Sequence, residues 1–162
     1  MKTGIKKLCI KIMGGLALLS FPFLLNSCGS GSNGNETANQ ASASIKDVST
    51  DPMQNKGVGP IIQVELGALD EQMVEDGKTI FEANCTACHR VGQRFIGPDL
   101  KGITNRRSPE WIMNILLNPE KMVKEDPIAK KLWAEFNGAT MVNQNISEGK
   151  ARKILEYFRT LK

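Results

Sequence analysis

The chain of 162 residues contains one histidine, one tyrosine, two tryptophans and four cysteines. These scarcities remove several functions. A single histidine excludes a metal held between two histidines of one chain. Long apolar runs are also missing. The most apolar stretch, Ile12 to Leu25, covers 14 residues, whereas a membrane-spanning helix needs about 20. There is no basic stripe interleaved with aromatics and no nucleic-acid-binding motif, so nucleic acid is not an expected partner. The formal net charge of +4 does not argue otherwise. Residues 1–27 hold four of the 21 basic residues (Lys2, Lys6, Lys7 and Lys11) and no acid, so the rest of the chain carries 17 of each sign.

Five residues stand out against this background: Cys85-Thr86-Ala87-Cys88-His89. The C-x-x-C-H spacing is that of a c-type haem attachment site. Two thiols separated by two residues can each add to one haem vinyl group. The histidine that follows is then placed to take the iron from one face. A structural zinc site wants four Cys or His ligands. Outside residues 1–27 only Cys28, Cys85, Cys88 and His89 are on offer, and Cys28 has its own explanation. A thioredoxin-like dithiol expects a βαβ setting, but the flanks here are helical in pattern.

Residues 1–27 read as an export signal, with lysines first and then an apolar run of signal-peptide length. The run ends in Leu25-Asn26-Ser27-Cys28. This resembles a bacterial lipobox, which implies that Cys28 becomes a lipidated first residue and that Cys9 is lost with the leader. Lipid on Cys28 anchors a chain to a bacterial membrane, each buried methylene contributing about 0.8 kcal/mol. The expected location is therefore exported, lipid-anchored and facing the periplasm. Residues 28–67 read as a flexible tether with a short extended segment near its end. Residues 29–59 are rich in Gly, Ser, Asn and Ala, with too little apolar surface to offset the entropy of ordering. Such a length of chain spans roughly 30 Å. In residues 60–67, Ile62, Val64 and Leu66 alternate with polar residues, which suits a short extended piece lying on a domain.

Residues 68–162 form the expected domain. Asp70 can cap a helix running to about Asn84, with Met73, Val74, Ile80 and Phe81 on one side. Gly77 inside it costs about 1 kcal/mol against Ala and points to close approach of another element. Residues 90–100 form a glycine- and proline-containing loop. Ser108-Pro109-Glu110 is a helix start, with Trp111, Ile112, Ile115 and Leu116 on its apolar side. Residues 118–125 read as a connection. Asp126-Pro127 opens another helix, which Asn137-Gly138 stops. Ser147 caps a last helix whose apolar stripe runs through Ala151, Ile154, Leu155 and Phe158.

With bis-His excluded, the second iron ligand is a methionine, a less usual donor such as Lys or Asn, or absent. Met141, in the irregular stretch before the last helix, is the first choice and Met122 the rival. Met73 and Met113 lie within helices, where packing is the default use.

Gly77-x-x-x-Phe81, the C-x-x-C-H string, Gly97-Pro98-x-Leu100, Met141 and the aromatic pair Tyr157-Phe158 occur in this order over residues 68–162. The order resembles that of class I cytochromes c. The resemblance implies an all-α fold wrapped round one covalent haem c, with thioether bonds at Cys85 and Cys88. It also implies His89 and Met141 as axial ligands, a Pro98 carbonyl that accepts from the His89 ring, and Leu100 packed on the haem. One departure is Val142, where a proline commonly follows the axial methionine. Arg106 and Arg107 are either partners of a haem propionate or a solvated basic pair, and Trp111 either walls the pocket or fills core.

Met/His ligation leaves no open coordination position. The expected role is that of an electron carrier, not an enzyme, serving a membrane quinol-oxidising donor and an exported reductase. The alternative is a haem enzyme or gas sensor with an exchangeable sixth ligand. The segments Arg106–Trp111, Lys124–Pro127 and Asn143–Asn145 resemble lipoprotein cytochromes associated with nitrous oxide reductase in Bacteroidetes-type bacteria, which implies that reductase as acceptor.

Overall fold

A computed structural model describes residues 49–162. The leader and Cys28 lie outside the described residues. Five α-helices follow one another: α1 (Glu71–Asn84), α2 (Pro109–Leu117), α3 (Pro119–Glu125), α4 (Pro127–Glu135) and α5 (Glu148–Phe158). Among the described residues there is no strand, only an isolated bridge between Arg90 and Gln93.

Each helix starts on a side-chain cap. Asp70, Ser108, Asn118, Asp126 and Ser147 accept hydrogen bonds from the backbone N–H three residues on, satisfying donors that no helical carbonyl can reach. α2, α3 and α4 all place proline directly after the cap. This corrects the reading of residues 118–125 as a connection. Asn118-Pro119-Glu120 is the same start signal as Ser108-Pro109-Glu110, but seven residues are too few to show a helical period. α4 ends where Asn137 (φ 56°) and Gly138 (φ 75°) turn left-handed.

α1 and α5 cross at Gly77. A Cβ there would stand 2.5 Å from the Lys153 carbonyl carbon and 3.0 Å from Ile154 N, so only glycine lets the two backbones meet. One turn on, Phe81 packs against Tyr157 (centroids 5.6 Å apart) and edge-on against Phe158 (5.7 Å). Glu156, fully buried on α5, accepts from the Asp70 N–H at 3.1 Å, from Arg159 at 2.5 Å and from Arg152. Burial alone would raise its carboxyl. The Arg152 hydrogen bond, the Asp70 N–H and the two guanidinium charges outweigh burial and hold it below the ordinary carboxylate range.

The packed chain reaches further back than composition suggests. Asn55 is buried, and Val58, Ile61 and Val64 pack against the core. Polar contacts add to this packing, and a hydrophobicity scale does not register them. Ser108 Oγ donates to the Asn55 carbonyl at 2.6 Å. Asn114 Oδ1 accepts from Ile61 N, while its Nδ2 donates to the Lys56 and Ile61 carbonyls at 2.9 Å. Glu110 accepts from Val64 N at 3.1 Å. The simple alternation of Ile62, Val64 and Leu66 does not hold, since Ile62 is 77% exposed and Leu66 40%. No sheet neighbour enforces a period of two. The helix side chains that grip the backbone decide which residues face in.

Gly77→Ala should destabilise the protein by about 3 kcal/mol, the upper end of ordinary overpacking costs, because the clash is with backbone. That outweighs the roughly 1 kcal/mol gained in helix propensity. Gly149→Ala, in open space on α5, should cost nothing. Thermal unfolding of the two variants side by side checks this.

Candidate haem site

The cytochrome-like string sits where α1 ends. Cys85 caps the helix, its N–H donating to the Phe81 carbonyl at 2.8 Å. The next turn continues the spiral, with Cys88 N and His89 N both directed at the Cys85 carbonyl (3.1 and 2.9 Å). Cys85 is half-buried, Cys88 is exposed, and both thiols are free. Burial, and then the neighbouring Cys88, push the Cys85 thiol up to about 11.

The loop after His89 folds back onto its ring. Gly97 N donates to the Cys88 carbonyl at 2.8 Å, and His89 Nδ1 lies 3.2 Å from the Pro98 carbonyl. A carbonyl only accepts, so Nδ1 carries the proton and Nε2 keeps its lone pair. Burial lowers the imidazole pKa, partly opposed by the Pro98 contact, and a neutral ring is the form that binds a metal. Gly97 is required here for space: a Cβ would stand 2.7 Å from His89 Nδ1. Asp99 then pins the loop by accepting from Gly92 N (2.7 Å) and Lys101 N (2.8 Å).

His89 opens onto a largely apolar cleft. Its lining includes Cys85, Cys88, Pro98, Leu100, Trp111 and Met141. Phe81 and Phe158, from the α1–α5 crossing, form part of the wall. Met141 lies in the irregular stretch between α4 and α5, which is anchored by the buried Ile146. Met122 is not among the lining residues. It is fully buried beside Gly57, and its sulfur accepts from Val58 N at 3.0 Å. Met53 is half-exposed on the docked segment.

The two arginines part company. Arg106 gives its donors to the Lys101 carbonyl (2.5 Å) and the Asp99 carbonyl (2.8 Å). Arg107 lies over the Trp111 ring, 5.2 Å from its centroid, and donates to the Arg106 carbonyl at 2.6 Å. Its Nε is buried without a hydrogen-bond partner. Burial, then the charge of Arg106, lower its pKa, with Asp126 and Glu135 opposing. Such an orphaned buried donor at the cleft suits the carboxylate of a bound group. Trp111 both lines the cleft and fills core at 3% exposure. Its indole N–H is taken by Asp126 at 3.0 Å. Neither Asp99 nor Asp126 was marked as a site residue by the sequence. Asp126-Pro127 announces a cap and gives no sign of this second contact.

Helices round an apolar cleft, with two free thiols, a neutral imidazole and a thioether on its lining, define a c-type haem protein. The comparisons with known proteins agree. A sequence model described as cytochrome c matches residues 74–162, more than half of the chain. The chain belongs to the cytochrome c family. It is 44% identical over 39 residues to a "Cytochrome c-553-like" protein of Synechocystis sp., covering 24% of this chain and 37% of that one. The match thus spans little over a third of that relative's length. The structure is similar to cytochrome c from Rhodothermus marinus (45% identity, TM-score 0.62, covering 64% of this chain and 89% of that one). It is also similar to an engineered form of that cytochrome, Rma TDE, described as bound to a carbene intermediate (45%, TM-score 0.59, the same coverage). The family's cofactor is haem c, and this chain's thiols, imidazole and unpaired guanidinium donor fit it.

Gly97→Ala should push the His89 ring off the Pro98 carbonyl. The expected result is an altered visible spectrum of the haem protein and a loss of about 1–3 kcal/mol in unfolding free energy, measured by denaturant titration followed in the visible band.

Proposed function

We propose that this protein is a lipid-anchored, periplasm-facing monohaem cytochrome that carries single electrons from a membrane quinol-oxidising donor to an exported terminal reductase, with nitrous oxide reductase as the acceptor. The observation that supports the electron-carrier reading is the placement of sulfur. Met141 borders the cleft that also holds His89, Cys85 and Cys88, while Met122 is spent on packing. Bound haem c supplies an iron that takes up and releases one electron, the redox chemistry being the cofactor's own.

The chain supplies everything else. Cys85 and Cys88 would hold the group by thioether bonds, which would keep it from dissociating. His89 and Met141 would hold the iron, a ligand pair that raises the potential and leaves no open position. The Pro98 carbonyl fixes the ring tautomer and orientation of His89. Phe81, Leu100, Trp111 and Phe158 keep water from the cleft, and their packing limits rearrangement when the charge changes. Arg107 offers a buried donor to a haem carboxylate. Among the described residues no helix is long and apolar enough to cross a membrane. The anchor is assigned to lipid on Cys28, with the residues after it as tether. Encounters with redox partners typically use small, transient interfaces.

Two measurements test this reading. The ferric protein should show the near-infrared methionine–iron band and the ferrous protein should resist carbon monoxide. Met141→Ala should abolish the band and open the site to carbon monoxide. A wild-type protein without the band that binds the gas readily would instead be a haem enzyme or sensor with an exchangeable ligand. For the acceptor, stopped-flow mixing of the reduced protein with purified nitrous oxide reductase should give rapid oxidation. No transfer would remove that partner and leave the carrier.

A further inference from the structure

Behind the cleft lies a polar cluster that haem attachment does not account for. Asp126 is 1% exposed. Its Oδ1 accepts from Ala129 N (2.7 Å) and Trp111 Nε1 (3.0 Å), and its Oδ2 accepts from Asn55 Nδ2 at 2.6 Å. No salt bridge among the described residues includes it. Capping α4 explains one of the three bonds, and a neutral Asn or Ser would cap as well. It does not explain a carboxylate kept out of water, which is costly unless every lone pair is used. Nor does it explain why Asn55, 71 residues earlier and itself 1% exposed, is committed to the second oxygen. Asn55 is held in turn by Ser108 Oγ on its carbonyl and by Gly57 N on its Oδ1, both at 2.6 Å.

We propose that Asp126 is a positioning residue for electron transfer: a buried carboxylate, locked by Asn55, that fixes Trp111 against the haem cleft and lowers the reduction potential of the site. The inference rests on the haem reading of the cleft. Trp111 forms part of the cleft wall and has Asp126 on its N–H and Arg107 over its ring. The charges at this wall are therefore Asp126 against Arg107, with Arg106 and Glu135 also acting on Arg107. Taking up an electron in the cleft is disfavoured by a nearby negative charge, and the effect is large where the surroundings are apolar and dry. Asn55 adds a structural consequence. The segment that leads back toward the N terminus is bonded to the residue that sets this charge.

The test is reduction potential measured together with unfolding midpoint on the full-length haem protein. Asp126→Asn should raise the potential by a three- to tenfold change in the electron-transfer equilibrium, the upper end being about 59 mV for one electron. It should also destabilise the fold, because two amide NH2 groups now face each other. The exchange variant Asn55→Asp with Asp126→Asn keeps the same charge. It keeps the Trp111 and cross-segment hydrogen bonds too: the new amide at position 126 accepts from Trp111 and donates to the new carboxylate at position 55. Its stability should return toward wild type and its potential should fall part of the way back, since the charge stays in the cluster but sits one hydrogen bond further from Trp111. A purely structural role would leave the potential of loaded Asp126→Asn unmoved. That unmoved potential, or an exchange variant whose potential stays as high as that of Asp126→Asn, overturns the proposal. So does an exchange variant that fails to accumulate as haem protein, because a matched pair should tolerate the swap. Wild-type protein without covalent haem would overturn the reading of the cleft, and this inference with it; an unmoved potential in loaded variants sinks this inference alone.

Discussion

The hydrogen bond between His89 Nδ1 and the Pro98 carbonyl is the constraint that the rest of the site answers to. It requires the loop from Arg90 to Asp99 to return onto the imidazole. The return is possible because Gly97 has no side chain to strike the ring, and because Asp99 ties the loop's two ends to one carboxylate. With Nδ1 so engaged, Nε2 is the nitrogen left for a metal. Its direction is set before any metal arrives. The α1–α5 crossing works at the other end of the same element. Gly77 brings the helices together, Phe81 and Phe158 close part of the cleft, and α1 delivers Cys85 at a fixed height on its wall.

The wall formed by α2 to α4 is built on a different principle. Its helices are short, from seven to nine residues, and such lengths are not stable alone. Polar side chains buried between them supply the connection. Asn114, Glu110, Ser108 and Asp126 all reach the segment from Asn55 to Val64. Each bond satisfies a backbone or amide group that burial would otherwise leave costly. The result is a wall that is apolar toward the cleft, with its hydrogen bonds gathered behind it. This placement puts a carboxylate on the Trp111 N–H, behind the cleft, and a guanidinium over its ring, on the cleft lining.

What was readable from sequence follows from how local each signal is. C-x-x-C-H, the caps at Asp70, Ser108 and Ser147, and the Asn137-Gly138 stop are decided within five residues, and they lie where local chemistry puts them. Gly77 was readable as a close approach because glycine inside a helix needs a reason, and the Lys153 backbone is that reason. α3 was missed because one cap and one proline precede too few residues to show a period. The packing of Asn55 to Val64 was missed for a deeper cause. Its partners lie more than 40 residues away, and its grip is polar where hydrophobic patterning looks for apolar faces. Asp126 looked finished as a cap, and nothing in Asp-Pro says that a tryptophan fifteen residues earlier shares the carboxylate. Met141 was preferred to Met122 for its place before the last helix, although both stand in stretches that read as irregular. Burial adds a difference that the sequence does not show: Met122 packs beside Gly57, and Met141 borders the cleft.

The central claim is that one metal is gripped from two sides by this chain alone. A crystal structure of the haem-loaded protein tests it most directly. The account predicts a single iron with His89 Nε2 and Met141 Sδ both at bonding distance, and thioether bonds at Cys85 and Cys88. An iron bound on the far side by water, by another side chain or by nothing, with Met141 turned away, would contradict it.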